Sequence, residues 1–181
     1  MTKHSFPNIA TLFLGLAVAN GAMAEPPTVI VVRHAERATE PANDPSLSLA
    51  GFRRAAQLAD ALTEAKIAGI ITTNLRRTKE TAAPLAQKLG IEPQVVAIRE
   101  GEPSAHVPEI VAALGKLNGN TLVVAHSNTA AEIVTALTRV TLLPLCDTSF
   151  SHVFVINTAT KAVAKLRYGE MDPKPGDDGC Q

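Results

Sequence analysis

Short runs of consecutive apolar residues alternate along this chain with longer stretches in which apolar positions recur every three or four residues. The runs Val29 to Val32, Ile67 to Thr72, Gln94 to Ile98 and Thr121 to Ala125 have the length and β-branched content of buried strands. Between them, helical periodicity runs over Leu49 to Glu64, Leu75 to Leu89, Glu109 to Leu117 and Thr129 to Thr138. In the first of these Phe52, Ala55, Ala56, Leu58, Ala59 and Leu62 form an apolar side, with Arg53, Arg54, Gln57 and Asp60 between them. Ser48 is placed to cap it, Gly90 to end the second helix, and Pro108 to open the third. The stretch Ala38 to Ser46 reads as a loop and Val140 to Ser149 as irregular. Val153 to Ile156 and Ala162 to Leu166 then read as two late strands joined at Asn157 to Lys161. Strand followed by helix, repeated in this way, predicts a single α/β domain: a three-layer αβα sandwich around a mostly parallel central sheet.

The polar residues are not scattered, because each early strand runs straight into a polar cluster. Arg33-His34-Ala35-Glu36-Arg37 follows the first, Thr72 to Thr78 the second, Arg99 to His106 the third and His126-Ser127-Asn128 the fourth. Ligands of such folds sit beyond the carboxyl ends of the strands, so these clusters converge on one place. Two guanidinium groups beside one imidazole suit a phosphate group.

Composition narrows the choice of partner. The 181 residues carry 17 basic and 17 acidic side chains, so the chain has no basic surplus for nucleic acid. Only 3% of residues are aromatic, which leaves few platforms for stacking bases. Lys3, the apolar run Ile9 to Val18 and Ala22-Met23-Ala24 resemble a secretion signal cleaved before Glu25. Residues 1–24 are therefore expected to direct export, most simply to a periplasm, with residues 25–181 as one domain and a flexible tail from about residue 169. Asn20 and Gly21 interrupt the apolar run, so no stable membrane anchor is expected. Cys146 and Cys180 are the two cysteines; in an oxidising compartment they can pair and pin the tail, and otherwise they stay free thiols.

Four motifs taken in order resemble the histidine phosphatase superfamily, the group that includes phosphoglycerate mutases and histidine acid phosphatases. They are Arg33-His34-Ala35-Glu36, Leu47-Ser48-Leu49-Ala50-Gly51, Leu75-Arg76-Arg77-Thr78-Lys79-Glu80-Thr81-Ala82 and Val123-Val124-Ala125-His126. The resemblance implies a phosphoglycerate mutase-like fold and a metal-independent phosphatase, without cofactor, that hydrolyses a phosphomonoester through a phosphohistidine on His34. It implies Arg33, Arg37 and Arg77 as phosphate ligands and His126 as a further donor to the transferring group. Arg76 reads as a solvated charge and Glu36 as a structural partner that bonds loop backbone or pairs with an arginine.

The general acid is where the chain departs from the family pattern. Ser127 stands where acid phosphatases place an Asp directly after the second histidine. Mutase-like members carry a Glu after the third strand, which makes Glu100 the candidate acid, with Glu102 second. His106 and Ser127 are candidate substrate contacts. The substrate class is a small phosphorylated molecule or a phosphorylated glycan of the cell envelope. Two other readings compete: a zinc hydrolase built on His34 and His126, for which no clustered ligand spacing exists, and a non-catalytic phosphate- or phosphosugar-binding protein of the envelope.

Overall fold

A computed structural model of the protein describes residue 1 and residues 26–99, 105–173 and 179–181. Ten elements follow in chain order: β1 (Thr28–Arg33), α1 (Leu49–Ala61), β2 (Ile67–Thr72), α2 (Arg76–Leu89), β3 (Gln94–Val95), α3 (His106–Leu114), β4 (Asn120–Ala125), α4 (Ser127–Thr138), β5 (His152–Asn157) and β6 (Val163–Arg167). They build one six-stranded sheet of order β3-β2-β4-β1-β5-β6. The strands β3, β2, β4 and β1 pair in parallel, while β5 runs antiparallel to β1 and β6 antiparallel to β5. The parallel part thus sits where the strand-helix repeat predicts it, and the late hairpin closes the other edge.

Period-two alternation in the central strands splits the core into two layers. Val29 and Val31 of β1 and Val123 of β4 pack with Ile110 of α3 and Ile133 and Val134 of α4 on one face. Ile30, Val32, Leu122 and Val124 pack with Leu58 of α1 and Leu85 of α2 on the other. Both faces are covered, which is why the central strands read as unbroken apolar runs. Fully burying one such aliphatic side chain contributes about 1.5–3 kcal/mol, so the centre of the sheet is a rigid base for whatever leaves its carboxyl ends.

Several element boundaries differ from the sequence reading, each for a local reason. The third strand is only Gln94–Val95, because the Ile98 amide bonds the side chain of Asn74 rather than a strand. Helix α1 stops at Ala61, after which Thr63 and Ala65 form a turn and Lys66 takes a positive φ of 50°. Helix α3 begins at His106, two residues before Pro108, whose missing N–H costs nothing in a first helical turn. His106 therefore stands on a helix, not in the loop where the sequence placed it. The largest departure is the orientation of α1: Phe52 is 46% exposed while Arg54 is 5% exposed. Arg54 faces inward because Glu36 and Asp172 wait there for it.

The described part of the tail is tied down. Asp172 accepts hydrogen bonds from the amides of Phe150 and Ser151 and from Ser151 Oγ, and Cys180 is bonded to Cys146.

Candidate active site

The carboxyl ends of β1, β2 and β4 open into a cleft of about 870 Å³. Its floor and walls include Arg33, His34, Arg37, Arg77 and His126, drawn from three separate clusters of the sequence. The His34 amide donates to the Ala125 carbonyl at 2.9 Å, which stitches the ends of β1 and β4 together and brings the His34 and His126 rings to 5.3 Å in an edge arrangement.

His34 is held in one tautomer. Its Nδ1 lies 2.8 Å from the carbonyl of Ala35, and a carbonyl can only accept. Nδ1 therefore carries the proton and the lone pair is on Nε2, as a nucleophile requires. Burial first, and then the charges of Arg33, Arg77 and Arg37, push the His34 pKa down to about 3. The ring is neutral at pH 7. His126, which caps α4, is likewise lowered to about 3 by burial, His34 and Arg77. Its Nε2 lies 3.3 Å from Thr73 Oγ1.

The signature after His34 is braced from two directions. The Ala35 amide donates to Thr81 Oγ1, which in turn donates to the Arg77 carbonyl, so one threonine links the strand end to the helix that carries Arg77. Arg54 holds Glu36 through Nε at 2.9 and 3.0 Å and Nη2 at 2.8 Å. Gly51 explains its motif: a Cβ at that position would collide with the Glu36 carbonyl oxygen, so α1 can approach the signature only with glycine there.

The three arginines differ in their commitments. Arg77 is mostly buried; among the described residues its Nε has no hydrogen-bond partner and the nearest carboxylate, Asp44, is 4.0 Å from Nη1. Its pKa is lowered by burial and by the neighbouring Arg37 charge, so two mutually repelling guanidinium groups stand there. Arg37 is exposed at the rim. Arg33 is buried, with Nη1 donating to the carbonyls of Cys146, Asp147 and Ser149 at 2.7, 3.0 and 3.2 Å and its head 4.2 Å above the Phe150 ring. Burial brings its pKa down to about 10, which still leaves it charged. Arg76 pairs with Glu80 on the surface of α2 and does not line the cleft.

Of the remaining candidates, Ser127 and His106 both line the cleft. Burial lowers the His106 pKa, opposed by the Ala97 carbonyl and by Glu109 and Glu132. Glu100 and Glu102 lie outside the described residues. The sequence reading gave no role to Thr73, nor to Glu132 and Asp147, two exposed carboxylates on the cleft wall. Glu132 sits mid-helix and Asp147 in an irregular segment, so neither belongs to a strand-end cluster that could have signalled it. Among the described residues no three His, Cys, Asp or Glu side chains gather as a metal site.

Residues 29–100, which hold β1 through β3 and with them His34, Arg37 and Arg77, match the model of the histidine phosphatase superfamily (branch 1). That stretch of the chain is similar to the superfamily. Solved structures with the same fold include the SixA protein from Agrobacterium tumefaciens, 20% identical, covering 80% of this chain and 99% of its own, with a TM-score of 0.57. The protein histidine phosphatase SixA complexed with tungstate is 17% identical, covers 80% and 96%, and has a TM-score of 0.58. A mycobacterial glucosyl-3-phosphoglycerate phosphatase with inorganic phosphate is 16% identical, covers 81% and 97%, and has a TM-score of 0.56. No curated protein matches the sequence significantly. The phosphoglycerate mutase-like fold is thus shared with these structures at identities where only architecture carries over.

Neutral buried histidines make stability depend on pH. His34, His126 and His152 are lowered to about 3, 3 and 4, burial being the first cause in each. The unfolded chain binds protons at these sites below about pH 6.5, where the folded chain does not. Stability is therefore retained above pH 6.5 and falls as pH drops toward 4. Melting temperatures at pH 7.5, 5.5 and 4.5 should fall in that order, and His152→Leu, which removes one such site outside the cleft, should flatten the decline.

Proposed function

We propose that the protein is an exported phosphatase that hydrolyses a phosphomonoester through a phosphohistidine on His34. The observation that carries this reading is the imidazole held neutral, with Nδ1 bonded to the Ala35 carbonyl, in a cleft that also presents Arg37 at its rim and Arg77, 4.0 Å from Asp44. A neutral Nε2 can attack phosphorus while the guanidinium groups hold the equatorial oxygens and stabilise the charge of the transition state. The P–N bond forms as the bond to the ester oxygen breaks. Water then attacks phosphorus, releasing phosphate and restoring His34. His126, on the adjacent strand end, accepts from the α4 backbone through one ring nitrogen, so the neutral ring keeps its proton on Nε2, which can turn from Thr73 to donate to the transferring group.

An alkoxide leaving group needs a proton. Glu100 is the proposed source by resemblance; Glu132 and Asp147 are the carboxylates on the cleft wall among the described residues. The Cys146–Cys180 bond supports export, since such bonds persist in oxidising compartments. A periplasmic location and a small phosphorylated molecule or phosphorylated envelope glycan as substrate are parts of the same proposal. Bound tungstate and phosphate in proteins of this fold support an oxyanion site.

The test is to trap the phosphoenzyme with labelled substrate. Acid-labile, base-stable label that is absent in His34→Ala supports the reading, whereas a phosphate-binding protein turns nothing over in either form. Arg77→Ala should lower kcat/KM on an aryl phosphate by about 10²–10³-fold, the usual loss for one well-placed transition-state donor. A loss under fivefold would mean that Arg77 does not contact the phosphoryl group.

A further inference from the structure

We infer that the Cys146–Cys180 disulfide positions Arg33, so that the oxyanion affinity of the cleft depends on whether that bond is formed; the inference rests on the phosphatase reading above. Arg33 makes its three short hydrogen bonds with backbone carbonyls of one irregular segment, residues 146–149, and its head lies on Phe150 of the same segment. Its orientation is therefore set by where that segment sits, and Asp147, 3.7 Å away with a fully exposed side chain, adds little steering.

The segment belongs to no helix or strand. Two anchors do not involve the tail: the Leu145 amide donates to the Ser127 carbonyl at the start of α4, and the Ser149 amide to the Cys146 carbonyl. The others come from the far end of the chain. The Gln181 amide donates to the Pro144 carbonyl at 2.9 Å, the Cys146 amide donates to the Gln181 carbonyl at 3.1 Å, and Gln181 Nε2 donates to the Leu143 carbonyl. Lys165 Nζ of β6 donates to Gln181 Oε1, which clips this short pairing to the sheet. The disulfide is the covalent part of the clamp, and the same Cys146 that carries it presents its carbonyl to Arg33 at 2.7 Å.

Reduction by dithiothreitol breaks the S–S bond. Two electrons and two protons pass to the cysteines, giving two thiols, and the reductant closes into its cyclic disulfide. The clamp then rests on solvent-accessible hydrogen bonds, the segment gains freedom, and Arg33 loses its fixed aim at the oxyanion. Cys146 and Cys180 are positioning residues in this account, acting through Arg33.

The experiment measures inorganic phosphate affinity by calorimetry, and kcat and KM on an aryl phosphate, at 25 °C with folding checked by circular dichroism. It compares the oxidised, reduced and reoxidised wild type, the Cys146→Ser/Cys180→Ser variant, and Arg33→Ala in both redox states. Opening the bond should raise the phosphate Kd and KM about fivefold, the lower end of ordinary site-to-site couplings, with reoxidation restoring both. In Arg33→Ala, opening the bond should change nothing further. Three results overturn the inference while leaving the phosphatase reading intact: an unchanged Kd and KM in the folded, reduced protein; the same loss with Arg33 absent; or reduced and variant proteins that are simply unfolded. No phosphate binding and no turnover in the oxidised wild type would overturn both.

Discussion

Replacing His34 with alanine is expected to abolish phosphatase turnover, lowering kcat by about 10⁴-fold or more, as loss of a covalent nucleophile does elsewhere. The expectation rests on geometry. Nδ1 is committed to the Ala35 carbonyl, so Nε2 alone can attack, and no neighbouring histidine can substitute: His126 caps another element and its Nε2 is turned to Thr73. Arg33, Arg37 and Arg77 remain, so phosphate should still bind to folded His34→Ala within about tenfold of wild type, a difference of about 1.4 kcal/mol. Steady-state kinetics with an aryl phosphate, together with phosphate calorimetry, separate the two effects. Turnover within tenfold of wild type would remove His34 from the nucleophile's role. On the acid side, the low His34 pKa predicts that its protonation limits kcat/KM of the free enzyme only near pH 3, far below the midpoint of an ordinary histidine.

The second large effect is on stability. Arg54→Ala should cost about 3–5 kcal/mol, the usual consequence of removing one member of a buried ionic group. Arg54 is 5% exposed, bonds Glu36 through two nitrogens, donates to the carbonyls of Tyr168 and Glu170, and lies 4.0 Å from the buried Asp172. Burial alone would disfavour its charge, but the Glu36 contact outweighs this and raises its pKa above the ordinary value. Without it, Glu36 and Asp172 keep buried or half-buried charge with fewer partners. For a domain of this size the change corresponds to a fall in melting temperature of roughly 10 °C. Arg53→Ala, one position along and exposed, should stay within about 0.5 kcal/mol of wild type. Equal melting temperatures for the two variants would show that the Arg54 group is not a structural centre. Activity should fall with Arg54→Ala as well, since Glu36 follows His34, the proposed nucleophile, by two residues.

The residues that line the cleft were legible in the sequence where they lay just past an apolar run. His34 and His126 directly follow β1 and β4, and the cluster after β2 leads to Arg77; the structure brings all three to one cleft. The Arg76 and Glu36 readings were local as well, because an i,i+4 carboxylate, Glu80, sits beside Arg76 and the signature crowds Glu36 against α1. Periodicity misjudged α1, where Phe52 and Arg54 exchange the faces expected of them. An amphipathic pattern scores side chains one at a time and does not register that Glu36 and Asp172, 18 residues before and 118 after Arg54, make its burial favourable.

What the sequence by itself determined is the order and type of the elements and the convergence of the strand-end clusters, because strand and helix periods and the rule for ligand position are properties of short stretches. Only the tertiary structure decided the rest: that Cys146 bonds Cys180, that Arg33 is gripped by carbonyls more than a hundred residues away, that Arg54 turns inward, and that Glu132 and Asp147 stand at the cleft. Each of these depends on partners distant in the chain, and a contact between distant residues leaves no periodic trace in either segment that makes it.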